Sequence, residues 1–226
     1  MHSMLSDVVA DQIRKRRDAL GLTREQLADR CTSLGAPELT YGAITNIETG
    51  RKTKEGTRRR LVAVDELATI ARALRIPPAL LVFPVGQADT VEALPGDAIP
   101  TGAALAWFTG ERRYPSEHVP RGELDEATGL AEWYEDPEAG WEEGAAPVAL
   151  WRQHADQVSR WHTAPTAIRR ENPEDAPEAE LRTKVGRLRQ GIEEELQRTR
   201  TTMRQLGLMP PALAAELRHV DKGGFK

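Results

Sequence analysis

Apolar positions recur at helical spacing through the first third of the chain, and each stretch is bounded by residues that start or stop helices. Val9 and Ile13, with Arg17 and Leu20, form a stripe that ends at Gly21. Thr23 then precedes a second run. Its hydroxyl can cap the first turn while Gln26, three residues on, reaches back to the backbone, and Leu27 and Ala28 face inward. Thr40 caps a third helix, Ile44 and Ile47 supply its inner face, and Gly50 stops it. A fourth stripe runs from Val64 to Leu74 with Asp65 as cap, and Pro78 to Val82 forms a short fifth helix.

Beyond residue 86 the pattern is sparser. Thr90 to Leu94 alternates as a strand does and ends in Pro95-Gly96, and Gly102 to Phe108 reads as a short helix or strand. From Pro147 to His162, Val148, Trp151, Ala155 and Val158 fall at helical spacing. From Pro177 to Leu206 runs a longer stripe of Leu181, Val185, Leu188, Ile192, Leu196, Thr199, Met203 and Leu206, a coiled-coil-like seam with one stutter. These two helices pair either within one chain as a hairpin or between chains. Leu181, Val185, Leu188, Ile192, Leu196 and Met203 are assigned to dimerisation. The tail from Gly207 holds one short helix. The expected organisation is a mainly α fold with a five-helix bundle over residues 1–85, a connecting segment over 86–121, an acidic linker over 122–146 and a helical region over 147–226.

Charge divides the same way. Residues 1–85 hold 14 Lys and Arg against 10 Asp and Glu, whereas the rest hold 17 against 25. Residues 51–60 have six basic side chains and one acidic, and residues 122–147 have nine acidic and no basic. The basic run, directly after the third helix, can grip phosphates and add salt-dependent affinity that is largely independent of sequence. The acidic run has the composition of a linker. A single cysteine, Cys31, excludes an intrachain disulfide, and a buried, inert thiol is expected. No apolar run approaches the ~20 residues that cross a bilayer, and no signal segment opens the chain, so a cytoplasmic, nucleoid-associated protein is expected.

The run Gly21-Leu-Thr-Arg-Glu-Gln-Leu-Ala28, followed by Ala43-Ile-Thr-Asn-Ile-Glu-Thr-Gly50, resembles the Cro and lambda-repressor type of helix-turn-helix domain, the xenobiotic-response-element family. The order of Val62-Ala-Val-Asp-Glu-Leu67, Pro77-Pro-Ala-Leu-Leu81, Thr90-Val-Glu-Ala-Leu-Pro-Gly96 and Trp107-Phe-Thr-Gly-Glu111 is similar to regulators from Streptomyces and other actinobacteria. The stretch from Ala28 to Ile44 is longer than in the family's compact form, so the turn is expected to be extended. The resemblance implies a double-stranded DNA partner read in the major groove by the third helix. Tyr41, Gly42, Thr45 and Asn46 are the base-contact candidates: Asn46 can pair with adenine, Thr45 can donate to a base or meet a thymine methyl, and Gly42 permits close approach. Arg24, Thr40, Arg51, Lys52, Lys54, Arg58 and Arg59 are the phosphate-contact candidates. Glu48 is expected to be structural.

Catalysis is not expected. His154 and His162 lie on one helix without further metal-ligand residues, no phosphate loop or Gly-x-Ser-x-Gly elbow is present, and Lys184 has no recognisable serine partner. No cofactor and no metal are implied. The five tryptophans all follow residue 100, where they either anchor packed helices or line a ligand cleft. The expected function is a homodimeric transcriptional regulator, a repressor, on an inverted repeat. The alternative is an antitoxin-like regulator whose C-terminal half docks a small protein or senses a small molecule.

Overall fold

The computed structural model describes residues 5–50, 60–115, 139–171 and 178–221, with the side chains of 165–171, 178, 179 and 181 excepted. It is mainly helical, with one two-stranded sheet among the described residues, and divides into two compact units, Met1–Glu123 and Leu124–Lys226. No described helix is long and apolar enough to cross a membrane.

The first unit opens with α1 (Leu5–Ala19), α2 (Arg24–Ser33), α3 (Tyr41–Thr49), α4 (Val64–Ala73) and α5 (Pro78–Val82). Thr23 and Gln26 make the reciprocal cap of α2: Gln26 N donates to Thr23 Oγ1 at 3.1 Å, and Thr23 N donates to Gln26 Oε1 at 2.9 Å. Thr40 Oγ1 accepts from Ala43 N at 3.2 Å to start α3. Helix α4 differs from expectation. Its cap position is Ala63, and Asp65 lies inside the first turn, where a carboxylate favours the helix dipole without capping it. Glu66 instead accepts from Ala63 N at 3.1 Å. Ile13, Leu27, Ile44, Ile47, Ile70, Leu74, Leu81 and Phe83 are fully buried and fuse the five helices into one core.

That core does not stop at residue 85. Strands β1 (Thr90–Leu94) and β2 (Asp97–Pro100) pair antiparallel with Val91 opposite Ile99, and α6 (Thr101–Phe108) follows directly. Val91, Ala93, Ile99, Ala104 and Tyr114 are buried in the same cluster as the helices. Phe83 meets Phe108 edge-on at 5.1 Å, and Tyr114 donates its hydroxyl to Asp97 Oδ2 at 2.8 Å. The segment read as a connector is therefore an integral cap on the bundle. Its alternating strand buries one face, which a tether has no reason to do.

The second unit contains α7 (Trp141–Glu171), α8 (Glu178–Gln205) and a 3-10 helix (Ala215–Asp221). Helix α7 begins before Pro147, with Glu142 and Glu143 in its first turn, so part of the stretch assigned to the acidic linker is helical. The pairs Arg160 with Glu195, Trp161 with Glu193 and His154 with Arg200 run in opposite directions along the two helices, which makes α7 and α8 an antiparallel hairpin. Ile192, Leu196, Thr199 and Met203 are buried within this chain, with Trp161, Leu217 and Val220 closing over Ile192 and Leu196. The expected seam between copies is thus occupied within one chain at these positions. Val185 is half-buried, and Leu188 and Leu206 are exposed; the Leu181 side chain lies outside the described residues.

On α7 the buried face only partly follows the apolar spacing. Val148, Trp151 and Ala155 are exposed and Val158 is half-buried against the cluster, whereas His154, Gln157, Trp161 and Ala164 are buried. A polar cluster sets that register. Arg200, 4 % exposed, donates from Nε and Nη2 to the two Asp221 oxygens at 2.8 and 2.7 Å, and from Nη1 to Pro211 O at 2.6 Å. The same Nη1 lies 2.7 Å from His154 Nε2, so the ring is neutral and accepts there. This places His154 in packing rather than at the surface.

Burial first, and then the Arg200 charge, hold the His154 pKa below its ordinary value of 6.5. A folded pKa depressed below the unfolded one makes stability complete above pH ~6.5 and lost as pH falls through the folded value. His219 contributes with the opposite sign, because Glu193 raises its pKa. Urea unfolding followed from about pH 7.5 to about pH 5 is expected to show falling stability, with a shallower fall in His154→Gln. The same slope in parent and variant would remove His154 from the account.

Candidate nucleic-acid interface

Helices α2 and α3 pack against each other, joined by residues 34–40. Helix α2 ends at Ser33 with Leu34 as its C-cap, and Gly35 follows at φ +93°, a conformation that side chains with a Cβ rarely adopt. Ala36 N then returns to Cys31 O at 3.1 Å. Ala36 and Leu39 are both buried, so the extended turn is anchored in the core at two points. Cys31 is buried beside it, with its thiol pKa pushed up to about 11 by burial, which leaves it protonated and unreactive near neutral pH.

One inner side chain of α3 is charged. Glu48 has a fully buried side chain, and both its oxygens are held by arginines from the neighbouring helices. Arg17 of α1 donates from Nε to Oε1 at 2.6 Å and from Nη2 to Oε2 at 3.0 Å, the two-pronged geometry that guanidinium and carboxylate share. Arg24 of α2 donates from Nε to Oε2 at 2.7 Å. Arg17, itself buried, also donates from Nη1 to Leu22 O at 2.8 Å, and the Glu48 hydrogen bond raises its pKa above the ordinary value. One carboxylate thus ties three helices together and fixes the rotation of α3.

The opposite face of α3 is open. Tyr41 is 56 % exposed, Gly42 is exposed, and Thr45 and Asn46 are half-buried. The Asn46 amide makes no hydrogen bond with a described residue, so its donor and acceptor are both available. The Thr45 hydroxyl donates to Tyr41 O at 2.8 Å, which engages its proton and leaves its oxygen able to accept. A Cβ added at Gly42 would meet only Thr40 Oγ1, at 3.8 Å, an ordinary contact. The fold therefore does not require glycine there.

Of the phosphate candidates, Arg24 is pinned through Nε to Glu48 with its side chain 31 % exposed, and Thr40 keeps its hydroxyl proton while accepting from Ala43 N. Arg51, Lys52, Lys54, Arg58 and Arg59 lie outside the described residues. Sequence reading missed the arginine clamp. Its signal was present: Arg17 four residues after Ile13 and Glu48 four after Ile44 put opposite charges on two inward faces. No family model, no curated protein and no solved structure matches the chain.

Two substitutions separate the inner face from the outer one. Glu48→Ala removes the shared carboxylate of Arg17 and Arg24, leaving buried Arg17 only Asp18 and Leu22 O through Nη1, and is expected to cost about 3 kcal/mol of stability in urea unfolding. Gly42→Ala is expected to stabilise the fold, by up to about 1 kcal/mol from helix propensity, while weakening binding to duplex DNA. Unchanged DNA affinity in Gly42→Ala would mean that no backbone approaches a ligand at this position.

Proposed function

We propose that this chain is a sequence-specific, DNA-binding transcriptional regulator of the Cro and lambda-repressor helix-turn-helix type, of the kind found in actinobacteria. It acts in the cytoplasm on nucleoid DNA and carries no catalytic function. The observation that carries this reading is the two-sidedness of α3. Ile44, Ile47 and Glu48 are turned inward and fixed, while Tyr41, Gly42 and Asn46 present a polar, uncrowded outer face at the start of the helix. A short helix held rigidly on one side and open on the other suits insertion in a major groove, where the amino-terminal residues of a recognition helix meet base edges. The six basic residues of 51–60 follow α3 directly in the sequence and supply phosphate affinity. Repression is the favoured outcome, because occupying a promoter needs no further contact.

A homodimer on an inverted repeat fits this role, since two-fold protein symmetry matches two half-sites. Because Ile192, Leu196 and Met203 are buried within the chain, contact between copies has to use other surface. That burial also favours a second reading. The α7 and α8 hairpin closes its own core without a second copy, which leaves it available as a control unit that docks a small protein or takes a small ligand. Co-purification of a small protein would support the docking form.

Selection of duplexes from a random pool by the purified protein, at two salt concentrations, tests the reading. An enriched two-fold motif is expected; salt-sensitive binding with no enrichment would contradict sequence-specific reading by the chain alone. On the enriched duplex, Asn46→Ala is expected to cost about 1–3 kcal/mol and flatten preference at one base pair, whereas Lys52→Ala weakens all sequences alike. Equal losses on selected and random DNA for Asn46→Ala would remove it from base reading.

A further inference from the structure

An open groove of about 420 Å³ lies between the carboxyl ends of α2 and α4, lined by Asp29, Arg30, Ser33 and Leu34 on one side and by Arg72 and Arg75 on the other. Cations collect naturally at the carboxyl end of a helix, where they complement its dipole and bind its last carbonyls. That demand is already met. Arg30 donates from Nη1 to Ala73 O at 3.2 Å, and Arg16 of α1 donates from Nε to Leu74 O at 3.2 Å and from Nη2 to Arg75 O at 3.4 Å. Arg72 and Arg75 are exposed, and their guanidinium groups make no hydrogen bond or ion pair with a described residue.

The backbone at Arg75 shows that this side chain is kept at a cost. Its φ of +53° lies in the left-handed region, which a Cβ disfavours. Eight other described residues have positive φ, and all eight are glycine. A glycine at position 75 would end α4 in the same way without strain, so the arginine answers to something other than the fold. The chemistry of the lining says what. Three arginines and one carboxylate, Asp29, leave the groove a surplus of two positive charges. A phosphate monoester carries about 1.5–2 negative charges near pH 7, and its oxygens match guanidinium forks in pairs. The volume falls within the roughly 300–1,000 Å³ of small-molecule sites, and Leu34, 47 % exposed, offers apolar surface to the rest of such a molecule.

We propose that the groove between the ends of α2 and α4 is a binding site for a small phosphate monoester. Arg72 and Arg75 hold the phosphate, Arg30 adds to the positive field, and the organic part lies against Leu34. The site uses none of the outer-face residues of α3, and its test requires no DNA. A negative result here leaves the reading of α3 standing, and failure to find an operator leaves a positive result here standing.

The experiment is calorimetric titration of the full chain with inorganic phosphate and with phenyl phosphate at constant ionic strength, with acetate as the control anion. Saturable binding of both phosphates is expected, tighter for phenyl phosphate, whose ring can cover Leu34, and none of acetate. Arg75→Gly removes one guanidinium and relieves the backbone, so it is expected to melt higher than the parent while binding phenyl phosphate about tenfold more weakly or worse. A side chain kept for the fold alone would not give these opposite effects. Arg72→Ala alters an exposed side chain, is expected to keep the parental midpoint and loses affinity to a similar degree, which keeps the test decisive if Arg75→Gly folds poorly. No saturable binding of either phosphate, or parental affinity in both variants, would overturn the proposal. So would weaker binding of random duplex by Arg75→Gly in a chain that ignores both phosphates, which would give the groove to the DNA backbone.

Discussion

A carboxylate with no exposed surface persists only if every part of its charge is answered, and Glu48 is answered from two directions by Arg17 and Arg24. Apolar packing alone holds α3 against α1 and α2 but permits small rotations about its axis. The Arg17 fork does not, because two parallel hydrogen bonds fix the carboxylate plane as well as its position. That restraint decides which side chains of α3 reach solvent. With Glu48, Ile44 and Ile47 turned inward, Tyr41, Gly42 and Asn46 fall on the accessible side, and the anchored turn through Ala36 and Leu39 sets where the helix begins.

The second unit uses the same device. Arg200 is buried among Asp221, Pro211 O and His154, and it joins the 3-10 helix to the hairpin much as Glu48 joins three helices in the first unit. In both places a charged side chain at an apolar phase of a helix is compensated by partners distant in sequence. Such contacts are directional, so they select one packing among several that would bury similar apolar area. In α7 the direction they select is the one that buries His154 and Gln157 and exposes Trp151.

Legibility in the sequence tracked how local the physics is. The caps at Thr23 and Thr40, the stop at Gly50 and the strand Thr90–Leu94 depend on residues within a few positions, and each could be read directly. The partner of the Ile192 to Met203 stripe could not, because an apolar stripe says that something covers it without saying whether that something belongs to the same chain. Helix α7 misled for a related reason. Its apolar residues mark one flank, but the buried flank is chosen by Arg200, forty-six residues from His154, and periodicity carries no trace of such a pairing. The same limit hid the Arg17 and Glu48 clamp, although two opposite charges on inward faces were visible. On the outer face of α3, the candidates named from sequence lie where a ligand can reach them, and only the proton of Thr45 is already engaged.

We propose that the outer face of α3, fixed from within by Glu48, is the surface that meets DNA. Amide hydrogen exchange of the full chain, free and with an excess of a selected duplex, tests this. Slowed exchange concentrated in residues 40–49, the α3 segment and its cap, is expected. Exchange in that segment unchanged by saturating duplex, with protection elsewhere, would contradict it.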